Sequence, residues 1–218
     1  MVGRIVVLAA ALLVTGCQMM PWASQKKEPR QYTTIAESPD RNREAAVYHN
    51  AEGLRLIELG SYDQAETELK LALEADLFYG PAHNNLGTVY LRREDYYRAA
   101  WEFQYAAKLM QGRAEPLYNL GMVFEEIGDL TKATERYEKA LDISPEEVRI
   151  AGNLVRVYRH KNRKDQQTRQ LLQQVAMQHT RPDWRQWARQ QLALIGQPDQ
   201  TPATQPTDDP PADSPDSY

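Results

Sequence analysis

Three asparagines, Asn85, Asn119 and Asn153, recur at intervals of 34 residues. Each carboxamide offers a donor and an acceptor, enough to hold one peptide unit of an extended chain. A ladder of three would grip a backbone without reading its side chains. Arg149, Arg156 and Arg159 fall within a few turns of one segment with helical periodicity. Guanidinium groups take carboxylates or phosphates through paired hydrogen bonds, so this trio suits an acidic side chain or a C-terminus. These groups serve recognition, and the chain has few for catalysis. Its four histidines, His49, His83, His160 and His179, make no set with the acids that reads as a metal site. Glu125 and Glu126 are adjacent and leave a helix on different sides, so they are no acid/base pair. No Gly-rich phosphate loop is present. No catalytic residue, metal or cofactor is expected.

Side chains repeating every 34 residues need a scaffold with that period, and the surrounding sequence has it. Leu86-Gly87, Tyr90, Ala99 and Phe103 are followed 34 positions later by Leu120-Gly121, Phe124, Ala133 and Tyr137. Gly53, Leu56, Ala65 and Leu69 make a looser copy before them, and Asn153-Leu154, Tyr158 and Leu171 a decayed one after. Each unit reads as two helices. Gly87 and Ala99 have almost no side chain and let the two axes approach, while Tyr90 and Phe103 fill the volume beside them. Gly60, Gly128 and Glu94-Asp95 sit where the chain must turn. Ser61-x-x-Gln64 and Ser144-Pro145-x-Glu147 have the form of capping boxes. The expected pairs are Arg41–Gly60 with Tyr62–Ala75, Gly80–Arg93 with Asp95–Met110, Ala114–Ile127 with Leu130–Ile143, and Pro145–His160 with Asp165–His179. After Pro182 an amphipathic segment carries Trp184, Trp187, Ala188, Leu192 and Ile195 on one stripe, suited to covering the last open face of a stack.

The period and these residues resemble the tetratricopeptide repeat, a helix–turn–helix family. The resemblance reaches from about Asp40 to His179. It implies an all-α solenoid of antiparallel helix pairs, with repeats at about 46–79, 80–113 and 114–147, a degenerate one at 148–180, and a C-terminal capping helix at 181–196. Departures from the family pattern stand at Glu52, Val155 and Gln167. The resemblance also implies that the first helix of each pair lines a concave groove, with Asn85, Asn119 and Asn153 at a position that commonly faces it. Beside them fall Asn84, Thr88 and Arg92, then Tyr118, Met122, Glu125 and Glu126, then the three arginines. The candidate peptide-binding set is therefore Asn85, Asn119, Asn153, Arg92, Tyr118, Arg149, Arg156 and Arg159. A local role for the asparagines and a solvated basic face for the arginines are the alternatives. The family's chaperone-type carboxylate clamp is not reproduced, since Asn50 and Leu54 stand in its places. His49 and His83 occupy a packing position of the family pattern.

The ends of the chain differ from its middle. Met1–Gly16 has a charged start at Arg4, an apolar run from Ile5 to Val14 and small residues after it, the form of an export signal. That run is too short to span a bilayer. Cys17, the only cysteine, follows directly and resembles the acylated cysteine of a bacterial lipoprotein; Gln18 after it points by resemblance to the outer membrane. Acyl chains at about 0.8 kcal/mol per buried methylene would anchor the chain permanently. The alternative is a simple secretory signal or apolar anchor. Residues 17–39 read as a polar tether. Residues 197–218 hold five aspartates and no Lys or Arg, a Pro- and Thr-rich composition expected to be disordered. The net charge of −4 comes from that tail, and no nucleic-acid surface is expected from the balance of the rest. Together these readings describe a non-catalytic adaptor on the periplasmic face of the cell envelope, whose partners are envelope proteins or their extended peptides. A structural subunit of an outer-membrane assembly, such as a pilus or secretion complex, is the alternative. An enzyme with an unrecognised site is the third.

Overall fold

The computed structural model describes residues 41–195. The signal segment, Cys17, the tether and the tail of residues 197–218 lie outside them. Among the described residues the secondary structure is helical throughout. Helix α1 (Arg43–Glu58) pairs with α2 (Tyr62–Ala75), α3 (Gly80–Arg92) with α4 (Tyr96–Leu109), α5 (Glu115–Glu126) with α6 (Leu130–Ile143), and α7 (Val148–His160) with α8 (Gln166–Gln178). Helix α9 (Pro182–Ile195) packs on α8. Each second helix also packs against the first helix of the next pair, and α1, α3 and α5 touch in sequence.

Small residues set the distance within a pair. A Cβ built on Gly121 would stand 2.5 Å from the Tyr137 ring, and one on Gly87 2.8 Å from Phe103. Any larger side chain at either position would drive the two helices apart. Ala99, Phe103, Ala133 and Tyr137 are fully buried on the facing helices.

The turns within pairs obey the same period. Gly60, Glu94, Gly128 and Asn162 all have positive φ, between 53° and 79°, the left-handed residue that ends a helix and frees the chain to reverse. Helix starts are capped by Asn42, Asp95, Asp129 and Asp165, whose side chains accept from the amides of Ala45, Arg98, Lys132 and Thr168. These caps differ from the expected ones. Ser61 occupies the N-cap of α2 without a side-chain bond. Ser144 ends α6, its amide donating to Ala140 O, and α7 begins only at Val148. The Ser144-Pro145 motif is therefore a turn rather than a capping box.

The fourth pair departs from the register. Its connection is longer, α8 starts late, and the buried set includes Thr168, Leu172 and Val175, one residue beyond the 34-residue spacing from Ala133, Tyr137 and Ala140. Val155 is buried where the other pairs have glycine, and Gln167 is exposed. The space that glycine opens elsewhere reappears at Gly152, where an added Cβ would stand 2.9 Å from the ring of Trp184 on α9. Trp184 is fully buried and stacks on His179 at 5.0 Å. Thus α9 covers the end of the stack much as another first helix would.

The other end is closed by polarity. Leu86 and Val89 on α3, Leu120 and Val123 on α5, and Leu154 and Val157 on α7 are buried in the stack. In the same register α1 has Glu52 and Arg55, which pair with each other through a bidentate bond. A terminal repeat needs a polar outer face. The departure at Glu52 is that face.

Candidate functional site

The first helices of the pairs, α1, α3, α5 and α7, lie side by side, and their contacts decide what each candidate residue can do. Asn85 Nδ2 donates to Asn50 Oδ1 at 2.9 Å, Asn119 Nδ2 to Asn84 Oδ1 at 3.0 Å, and Asn153 Nδ2 to the Tyr118 hydroxyl at 2.9 Å. Each amide therefore reaches 35 residues back to the preceding first helix. Asn84 continues the chain by donating to Glu115 Oε1 at 2.7 Å. Asn119 is buried and Asn153 fully so. This corrects the expected ladder: the periodic asparagines staple neighbouring helices, and a buried polar group needs such a partner. Asn85 is half-buried and keeps an edge at the surface. Tyr118 is buried too, its ring 5.8 Å from Tyr137.

The arginines do not converge on an open pocket either. Arg156 makes a bidentate pair with Glu125, at 2.8 and 3.0 Å, and Glu125 also accepts from the Tyr137 hydroxyl at 2.8 Å. Arg159 donates to the Gln191 side-chain oxygen on α9, and Arg149 to Glu147 at 3.2 Å. Spacing places the three on one helix; Glu125 on α5, Gln191 on α9 and Glu147 at the start of α7 itself take them separately. Arg92 is half-buried at the end of α3.

The exposed large apolar side chains of this row lie at its beginning. Val47, Ala51 and Leu54 follow one another along one stripe of α1, with Val47 45% and Leu54 43% exposed. In the same register α3 has Pro81, Asn85 and Thr88, all half-buried. The sequence analysis placed Leu54 only as a missing clamp residue. The signal that would have found this surface is the run of apolar residues at positions where the later pairs carry Glu115, Arg149 and Arg156.

Electrostatics elsewhere is structural. Burial works against ionisation of Glu66, yet hydrogen bonds from Lys70, Tyr90 and Arg93 win and hold its pKa at about 2. Tyr90, buried beside that carboxylate, is pushed up to about 12. Burial, then the charge of Glu125, keeps Tyr137 well above the ordinary tyrosine range. His49 and His83 bond to Glu68 and Glu102, at 2.7 and 2.6 Å, and His83 Nε2 lies 2.9 Å from Leu77 O. These repeated pairs tie the two helices of a unit together, the structural part expected of them. Among the described residues no group of three or more His, Cys, Asp or Glu is placed to hold a metal. None of the described helices is long and apolar enough to cross a membrane.

An array of helix pairs with small residues at the crossings and a common period of 34 residues defines a repeat solenoid. Models of the tetratricopeptide repeat match residues 50–116 and 114–147, and the helical array is a solenoid of that type. No curated protein matches it. Among solved structures, the first repeat domain of Spaghetti (RPAP3), bound to the HSP90 peptide SRMEEVD, is 18% identical with a TM-score of 0.55. That match covers 57% of this chain and 98% of the other. MamA is 24% identical at a TM-score of 0.55, over 59% of this chain and 75% of its own. YrrB, described as a repeat protein with an unusual peptide-binding site, is 20% identical at a TM-score of 0.55, over 63% and 71%. At these identities the likeness is one of fold.

Proposed function

We propose that this protein is a non-catalytic scaffold that binds partner polypeptides along its row of first helices, carried on a lipid-modified Cys17 in the bacterial cell envelope. The observation that carries the binding reading is the exposed stripe of Val47, Ala51 and Leu54, apolar surface left uncovered on the helix face that the family uses as a groove. Peptide-bound Spaghetti and the peptide site of YrrB support the same use of the fold. Asn85 and Thr88, half-buried in the next helix, supply polar edges beside the stripe. The contact is thus expected in the first two repeats.

A photo-reactive residue replacing Leu54 in living cells tests this, with one replacing the exposed Glu135 on α6 as control. Crosslinked partner at position 54 and none at 135 is the expected result; equal or no crosslinking at 54 removes the groove. Cys17→Ser separates the anchor from the binding surface, because it should release the domain into the soluble envelope fraction while leaving partner binding intact. Retention of that variant on membranes would overturn the lipid assignment.

The structural-subunit reading has its own observation. Tyr97 and Trp101, one turn apart on α4, are 82% and 63% exposed, and large aromatics of this kind anchor interfaces. Loss of partner binding on Trp101→Ala with Leu54→Glu unaffected would favour that reading.

A further inference from the structure

The near-neutral total of the helical stack hides a division of charge. Residues 41–147 contain twelve Lys or Arg against twenty Asp or Glu, a net −8, while residues 148–195 contain ten Lys or Arg against two Asp, a net +8. The boundary falls at the start of α7. Some of the cations on α7 to α9 are matched: Arg156 by Glu125, Arg163 by Asp165 and Glu138, Arg181 by Asp183, Arg149 by Glu147. Others have their hydrogen bonds met by uncharged oxygens. Arg159 donates to the Gln191 amide, and Arg185 to the carbonyls of His179 and Thr180. Neutral acceptors satisfy geometry but leave the charge uncompensated. Lys161, Arg169 and Arg189 add exposed cations on α7's end, α8 and α9.

The chain itself supplies the complement. Immediately beyond α9, residues 197–218 hold Asp199, Asp208, Asp209, Asp213 and Asp216 with no Lys or Arg. A coil of 22 residues would have a root-mean-square reach on the order of 25 Å, against about 10 Å for the width of one helix. Tethering gives an effective concentration of order millimolar, so even a weak, purely electrostatic contact is populated. We propose that the acidic tail of residues 197–218 docks on the basic end formed by α7, α8 and α9, so that an acidic segment of any partner approaching this end must displace it. The contact lies at the opposite end of the stack from the apolar stripe of α1, so the groove reading and this one fail separately.

The test uses the full chain bearing Cys17→Ser and Ser214→Cys, with a nitroxide on the new cysteine and backbone amides observed by NMR. At low salt the label should broaden amides of residues 159–164 and 185–189 and spare those of 62–75. The broadening should disappear at about 0.5 M salt, where charges are screened within roughly 4 Å, and when the five tail aspartates are replaced by asparagine. Lys161→Glu with Arg189→Glu should weaken it while the helical circular dichroism is unchanged. Absence of broadening, broadening centred on residues 41–147, or broadening that survives salt and the asparagine replacements would each overturn the proposal. So would broadening seen only when spin-labelled and isotope-labelled molecules are mixed, which assigns the basic end to a second copy.

Discussion

Between α1 and α3 the side-chain bond on the row of first helices is a part-buried amide pair, Asn85 to Asn50; between α5 and α7 there are a buried amide–phenol bond and a bidentate ion pair that also takes in Tyr137. The same register thus does two jobs. At the beginning of the stack its outward side chains are Val47, Ala51 and Leu54, all exposed. At the end the same positions hold Arg149, Asn153 and Arg156, each bonded to another side chain. Periodicity alone treats these positions as equivalent. The neighbouring helix decides which of them are available to a partner and which hold the stack together.

The difference is broken most severely at α9. Trp184 is fully buried against Gly152 and His179, and truncating such a side chain removes its transfer energy and leaves a cavity. Trp184→Ala is expected to cost about 3–5 kcal/mol in chemical denaturation. Its indole N–H is buried without an acceptor, so Trp184→Phe should recover much of the loss, since it gives up less apolar volume and removes the orphan donor. A small cost for Trp184→Ala would mean that α9 is an appendage and that the fourth pair stands without it.

A smaller effect sharpens the comparison along the row itself. Arg156 and Glu125 have side chains 16% and 15% exposed, so removing the guanidinium leaves a largely enclosed carboxylate held by Tyr137 alone. Arg156→Ala should cost about 2 kcal/mol without reducing partner crosslinking at position 54. Leu54→Glu should do the reverse, changing stability by less than about 0.5 kcal/mol while abolishing partner capture. Denaturation curves on both variants, crosslinking at position 54 in Arg156→Ala and affinity capture of the crosslinked partner by Leu54→Glu make the check. Similar behaviour of the pair would erase the distinction between an available beginning and a committed end.

How far the sequence could be read follows from the same physics. The helix pairs were legible because a close crossing demands glycine and alanine, and residue type records that demand directly at Gly87, Ala99, Gly121 and Ala133. The turns at Gly60 and Gly128 were legible for a similar reason. The asparagines were misjudged because a single position touches both the outer face and the next helix. Which way the amide turns depends on Asn50, Asn84 and Tyr118, partners 35 residues earlier that come into view only when the helices are stacked. Glu52 looked like a defect in a repeat, yet it belongs to an end, where a leucine would be exposed. The basic end is hidden when charge is summed over everything before the tail, because the acidic first three repeats cancel it.

The smallest effect concerns the turns, the feature the four pairs share most closely. Three of the four left-handed positions carry Gly or Asn, residues that tolerate positive φ, and the remaining one is Glu94 at φ 59°. A side chain with a Cβ in that region costs about 1–2 kcal/mol, while glycine there loses more backbone entropy on folding. The first effect exceeds the second, so Glu94→Gly should raise stability by about 0.5–1 kcal/mol, with Gly128→Glu lowering it by a comparable amount. Because the Glu94 side chain is exposed in the turn after α3, partner crosslinking at position 54 should not change in either variant. A destabilised Glu94→Gly would show that the glutamate makes an interaction stronger than its backbone strain, and that the second turn is held differently from the other three.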